Sequence, residues 1–428
     1  LEQAQGEPPQ RPWWFQFPVP LRELTVIRLV AAVGAGGVLY LTPIVFHDQS
    51  FSAGLVTRGL ALAALAGTVG RLGSGLLLDR GLSCSWPVGL AVVAALAGDG
   101  ALLRAHDLPG YLAGQVLLGI SMGLYWPAIE LAVPLSCPPV RSARGFALVR
   151  SADAIGIASG ALLGAALATQ GRLRGIYLVD MTCLVAMAVL LWRRPLPQAQ
   201  ARRRQEAQQP WRQWLPPLLP MLGITTLATA MPALMQSALP LDLVRGGLRR
   251  PALPANLGAL TIGVQLGLLV VIQWPVGRAL ARRPVGTGLR LSLISFAIGN
   301  LLLVVSALVP QGLVVLLLAQ VPLALGEAAF LPTATEAVVE LTPPEHQGMA
   351  MALFSQCFAL SALMAPLLAG WLLDAQGHGA GLWMVMAVVC LLGFPLVRNL
   401  ERSRRETLGP GLSGADPSGG QQLLASRD

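Results

Sequence analysis

Two carboxylic acids stand in stretches that otherwise carry little or no charge: Asp153 in ALVRSADAIGIASGALLG and Glu327 in VPLALGEAAFLPT. An ionisable group inside an apolar membrane span is costly unless it is paired or used. The chemistry open to it is narrow. It takes up and releases a proton, holds a cation, or contacts a polar solute. Arg150 precedes Asp153 by three residues, so the two share a helix face and can pair, with Glu130 of the preceding span as a further partner. Glu327 has no basic residue within a turn, since its neighbours are Ala324, Ala328, Phe330 and Leu331. It is therefore the better proton carrier, and Asp153 the better structural ion. Gln236, Gln265, Gln273 and Gln356 add neutral hydrogen-bonding groups, and Tyr125 with Trp126 offers aromatic surface to a solute. A second constellation is RLGSGLLLDRG, residues 71–81, where Arg71, Asp79 and Arg80 flank a glycine-leucine centre.

Other chemistry has no residues to carry it. The four histidines (His47, His106, His346 and His378) all fall in predicted loops. The chain has no lysine, so no phosphate-binding loop ending in Gly-Lys is present. The five cysteines are scattered and odd in number, which suggests neither a disulfide framework nor a zinc site. No nucleophile or acid–base cluster converges. The expectation is a protein that is not an enzyme, with no cofactor and no metal.

The elements that must position these residues follow from composition. Of 428 residues, 54% are hydrophobic and 12% charged, against about 25% charged in soluble domains. Apolar runs near 20 residues recur, each long enough to cross about 30 Å of hydrocarbon as a helix. They predict an all-α polytopic membrane protein of twelve transmembrane helices in two six-helix bundles. Residues 1–20 read as an N-terminal tail, 21–192 as the first bundle, 193–215 as a basic linker, 216–398 as the second bundle and 399–428 as a disordered tail. Every basic residue is an arginine, and most fall on one side if both termini are cytoplasmic. That orientation explains the basic balance better than nucleic acid does. Arg245, Arg249 and Arg250 break the rule, since they fall on the opposite side.

The halves repeat each other. At an offset of about 202, Gly75 meets Gly277 and Arg80 meets Arg282; at 205, Gln115 meets Gln320 and Pro127 meets Pro332. The offset spans an even number of helices, so the two repeats are parallel. A glycine, three residues and then Asp-Arg after span 2 (Gly75, Asp79, Arg80), preceded by Arg71, resembles the signature of the major facilitator superfamily. The weaker copy at Gly277 and Arg282 and the Pro138-Pro139 with Arg144-Gly145 after span 4 also match its pattern. The family continues its signature with a second glycine and basic residues; here the chain reads GLSCSW. The resemblance covers about 21–398. It implies that Asp79 meets span 11 to close the cytoplasmic side, and that spans 1, 4, 7 and 10 line a central cavity.

The expected function is secondary transport of a small organic solute by alternating access, with proton-coupled efflux the first reading. Alternatives are proton-coupled uptake of a sugar-like solute, for which Trp126 would stack on a ring, and a non-transporting sensor or accessory protein. The expected partners are the solute, protons and membrane lipids, with no nucleic acid. The expected state is a monomer in the cell membrane.

Overall fold

The computed structural model describes residues 12–47, 53–198, 210–253 and 255–408. A short 3-10 turn (Trp13–Gln16) leads into thirteen helices: α1 (Val19–His47), α2 (Ala53–Asp79), α3 (Ser85–Arg104), α4 (Leu108–Ser136), α5 (Ser142–Thr169), α6 (Gly175–Arg193), α7 (Trp211–Arg245), α8 (Ala255–Leu280), α9 (Val285–Leu308), α10 (Gly312–Leu341), α11 (Gln347–Gln376), α12 (Ala380–Leu392) and α13 (Phe394–Leu408). Among the described residues, twelve segments are long and apolar enough to cross a membrane, the last running through α12 into α13. The protein is an integral membrane protein with twelve spans.

The packing repeats after six helices. In the first half α1 packs on α5, α2 on α4, and α3 on both α4 and α6; in the second half α7 packs on α11, α8 on α10, and α9 on both α10 and α12. Each first-half pair has its second-half copy six helices on, as duplication requires. Within a half, small residues let backbones touch. A Cβ added to Gly156 would lie 2.5 Å from the Ala32 Cβ and 2.8 Å from the Leu29 oxygen. The glycines of α5 are thus the seat of α1.

The halves meet through the same contact made twice: α2 lies on α11, and its counterpart α8 lies on α5, the counterpart of α11. The face of the bundle where α1 begins and α6 ends is marked by a 2.7 Å ion pair from Arg194 to Glu23. We refer to it as the linker face. The start of the linker is ordered on it. Leu196 accepts from the Ser83 hydroxyl at 2.8 Å and its N–H donates to Ser85 at 2.7 Å, while Gln198 donates to the Gly81 oxygen at 2.8 Å. The SCS of GLSCSW, where the chain departs from the family signature, is where the linker docks. Residues 211–215, expected in the linker, instead open α7.

The expected disordered tail needs correction over residues 399–408, which continue as helix; the rest of the tail lies outside the described residues. The last span breaks at Gly393 because Pro395 lacks the N–H that would bond four residues back. Beyond the break, Glu401 accepts from Arg290 at 2.5 Å and ties α13 to α9.

On the opposite face the second half is closed by a charged knot. Arg250, in the loop after α7, pairs with Asp242 at 3.1 Å, and both side chains are fully buried. Asp242 also accepts from the Gly379 N–H at 2.8 Å and the Trp383 indole at 3.1 Å, and Arg250 donates to Ser306 at 3.0 Å. Arg245 pairs with Asp374 at 2.5 Å. Two of the three arginines that break the charge rule are therefore neutralised by carboxylates of their own half.

Candidate functional site

The site has two levels. The first is the closure at the linker face. Asp79 ends α2, and its carboxylate accepts the backbone N–H of Met349 at 3.2 Å. Met349 lies in the first turn of α11, where N–H groups lack helical partners and the helix dipole favours an anion. Gly75 permits the approach: an added Cβ would stand 2.9 Å from the Ala352 Cβ and 3.2 Å from the Gly348 oxygen. Arg71 is buried and donates to the Ser355 hydroxyl at 2.9 Å, crossing between halves through a neutral group. Deeper on the same two helices, the Gln356 amide, read as a cavity group, donates to Thr68 of α2 at 3.0 Å. Gly277 repeats the role of Gly75 on α8, where an added Cβ would stand 2.6 Å from the Ala147 Cβ. Arg80 and Arg282 are exposed on this face.

An aromatic strap reinforces the closure. Trp13 and Phe17 precede or open the first half, yet both pack edge-on against Trp274 of α8, at ring-centroid distances of 5.1 and 5.9 Å. Arg144 holds the strap from its own half, lying 4.9 Å over Phe17 and donating to Gln16 at 3.1 Å. Each aromatic contact is worth about 0.5–1.5 kcal/mol beyond its area. Trp274→Ala is expected to speed amide exchange over residues 274–280 severalfold. Unchanged protection there would remove the strap from the closure.

The second level lies deeper. Asp153 is 11 residues into α5, about 16 Å from the linker end of that helix. It pairs with Arg28 of α1, a residue the sequence reading passed over, and with Arg150 at 3.5 Å. Arg150 in turn donates to Glu130 of α4 at 2.7 Å. Both guanidiniums lie over the Trp126 ring, at 4.5 Å for Arg28 and 5.7 Å for Arg150. The Arg28 guanidinium also reaches the Tyr125 hydroxyl at 3.5 Å. The result is a buried chain of two cations and two anions stitching α1, α4 and α5 together. Tyr125 and Trp126 pack against this chain and remain partly exposed. Asp99 on α3 and Asp180 on α6 are also buried, apart from this chain.

Across from it stands Glu327, 14 residues from the linker end of α10, about 21 Å deep. The Gln265 amide of α8 donates to it at 3.3 Å. Arg150 and Tyr40, both from the first half, lie near enough to feel its charge. Glu327 is partly exposed, whereas the four charges opposite are buried. Gln273 is spent on a backbone oxygen, that of Ala328, at 3.3 Å. Gln236 lies on α7, and its side chain is outside the described residues. An apolar cluster of Ala154, Leu269 and Ala328 fills the seam beside Glu327. Among the described residues no group of histidine, cysteine and acid side chains could hold a metal.

The family profile described as Major Facilitator Superfamily matches residues 24–285 and 218–420. The chain belongs to the major facilitator superfamily. It is a transporter rather than an enzyme. Solved structures share the fold at low identity. FucP, a major facilitator superfamily transporter in an outward conformation, has a TM-score of 0.73 at 14% identity, covering 89% of this chain and 98% of its own. A bacterial homologue of the iron transporter ferroportin, in an outward-facing state, has 0.72 at 16%, covering 90% and 99%. The human organic anion transporter MFSD10 has 0.70 at 15%, covering 90% and 100%. Among curated proteins, none matches this chain.

Of the residues read as the signature, Arg71, Gly75 and Asp79 contact α11, and Arg80 does not lie in that seam. For this transporter, Asp79→Asn is expected to shift the population up to about tenfold toward opening at the linker face, as loss of about 1.4 kcal/mol of charge–dipole and hydrogen-bond energy would do. Distances between spin labels on the two halves would measure it. An unchanged distribution with wild-type flux would refute the assignment.

Proposed function

We infer that the protein exports a small organic solute in exchange for protons, by alternating access between its two halves, with the linker face cytoplasmic. The single observation behind this reading is the placement of Glu327. It is a mid-depth carboxylate of one half, partly exposed, facing Arg150 and Tyr40 of the other half across the plane that must open and close. Rocking the halves changes the water and the charge around Glu327, which ties its protonation to the conformational cycle. The neutral, apolar neighbourhood of Gln265, Ala154, Leu269 and Ala328 suits a lipophilic solute. Uptake of a sugar is the weaker reading, because Arg28 and Arg150 lie over the Trp126 ring and compete with a solute for it. The test is a panel of solutes in proteoliposomes under an imposed proton gradient of either sign. Solute exchange with proton flux supports the reading. A protein that holds one conformation with every solute and moves none would be a sensor, and the reading would fall.

A further inference from the structure

Away from the centre, two acids lie together with no base. Asp99 of α3 and Asp180 of α6 are both buried, Asp99 completely. Each stands five residues from the end of its helix on the face opposite the linker, about 8 Å deep. Neither oxygen of Asp99 finds an N–H or O–H donor. The group within hydrogen-bond reach of them is the Asp180 carboxyl, which when ionised is another acceptor. On its other side Asp180 rests against α1: a Cβ added to Gly34 would stand 2.1 Å from the Asp180 Oδ1.

The elements around the pair supply no compensating cation. From α6 come Tyr177 and Cys183, and behind Tyr177 stands Tyr111 of α4. The Tyr177 hydroxyl donates to Thr42 of α1 at 3.3 Å. Arg174, just before α6, spends its guanidinium on the backbone oxygens of Leu103 and Ala105, at 2.8 and 2.5 Å. Arg104, at the end of α3, is exposed. On α1, Arg28 lies six residues from Gly34, about 9 Å along the helix, and is held by Asp153. The charges of α5, and Glu130 of α4, are spent in the central chain and at the linker face. Two buried carboxylates side by side cannot both stay ionised without such help. One proton solves the problem, because it turns one of the two acceptors into a donor. A metal ion needs more oxygen ligands, and among the described residues no third side chain completes a metal site. Protons have a short way in. A cavity of about 680 Å³ on the same face is lined by Leu103, one turn from Asp99, and by Val179, next to Asp180.

We propose that Asp99 and Asp180 bind one proton between them, as a second proton site distinct from Glu327, and that this proton clasps α3 to α6 at the face opposite the linker. The O–H of one carboxyl donates to the carboxylate of the other, and the pair carries a single negative charge. The proton comes from water on that face and returns to it. It therefore tunes the fold to the pH of one side and drives no solute. Losing it leaves two anions in contact without a donor, and α3 and α6 separate there. The sign of the pH dependence follows. The folded pair holds a proton that the same two acids, exposed in the unfolded chain, have released at neutral pH. Stability falls as pH rises, by up to about tenfold in the folding equilibrium per pH unit, until the shared proton is gone.

The test uses purified full-length protein in detergent. Asp99→Asn and Asp180→Asn each leave one carboxylate beside an amide donor, an arrangement that needs no proton. At neutral pH the infrared carbonyl stretch of a protonated carboxyl should be present in the wild type. It should be weaker by the same amount in each Asn variant, since whatever Glu327 adds is common to all three. The thermal midpoint of the wild type should fall as pH is raised from neutral, and those of the variants should fall less. The proposal is overturned if both variants keep the full band, or if their midpoints fall with pH as steeply as the wild type's. A third protein guards against variants that fail to fold. In Glu327→Gln the central acid is gone but the pair is intact, so a protonated-carboxyl band should persist at neutral pH. Its absence would overturn the shared proton. Recovery of the midpoint at high pH by sodium or calcium, at constant ionic strength and absent from the Asn variants, would also overturn it, by making the pair a metal site.

Discussion

Glu327→Gln is expected to abolish accumulation against a gradient while leaving solute exchange intact. The amide is nearly the shape of the acid and still meets Gln265, which now stands 3.3 Å from the carboxylate. What it cannot do is change its charge. A proton gradient of one pH unit is worth about 1.4 kcal/mol, enough to hold a roughly tenfold solute gradient at one proton per solute. In the variant that ratio should fall to about one. Counterflow of labelled against unlabelled solute needs no proton and should persist. Asp153→Asn should behave differently, because Asp153 is locked between Arg28 and Arg150. It should lower the yield of folded protein and disturb binding. Accumulation by Glu327→Gln at the wild-type level would remove this residue from the coupling.

The second large effect is structural. Arg250→Met is expected to destabilise the protein by about 3–5 kcal/mol, the usual cost of leaving one member of a buried ion pair alone. Asp242 would keep the Gly379 N–H and the Trp383 indole but lose its only charged partner in the knot. The loop after α7, the end of α9 and the start of α12 all hang on this pair through Ser306, Gly379 and Trp383. Thermal unfolding in detergent reads the loss as a fall of several degrees or more. The double variant Arg250→Met with Asp242→Asn should recover part of it, since the stranded charge is gone. A midpoint within a degree of wild type for Arg250→Met would show the knot to be incidental.

Much of this architecture was legible in the chain. Twelve apolar runs made twelve spans because length and hydropathy decide that question almost alone. The offset repeats anticipated the doubled packing because duplicated residues keep duplicated partners. Arg150 and Asp153 could be paired from their spacing, since both lie on one helix. Arg28 could not be paired in that way. It stands within the first predicted span, where the rule that found Asp153 would have found it too, but its partner is 125 residues away. No periodicity tells which face of α1 meets which face of α5. The same blindness hid the contact of Gln356 with Thr68 of α2 and the guanidinium of Arg28 over the Trp126 ring. Spacing locates a polar group along its own helix; only packing decides what it faces.

The aromatic strap has a history as well as a place. Trp13 and Phe17 are synthesised before Trp274, their partner in the other half. At about 5–20 residues per second, the interval is on the order of tens of seconds. Through that interval the rings have no α8 to rest on. Indole and phenyl rings beside the first span settle at the membrane–water boundary, where tryptophan is at home. The strap thus serves the nascent chain as an anchor holding the entry of α1 at the lipid surface. It becomes a clasp only when the second half arrives to claim it.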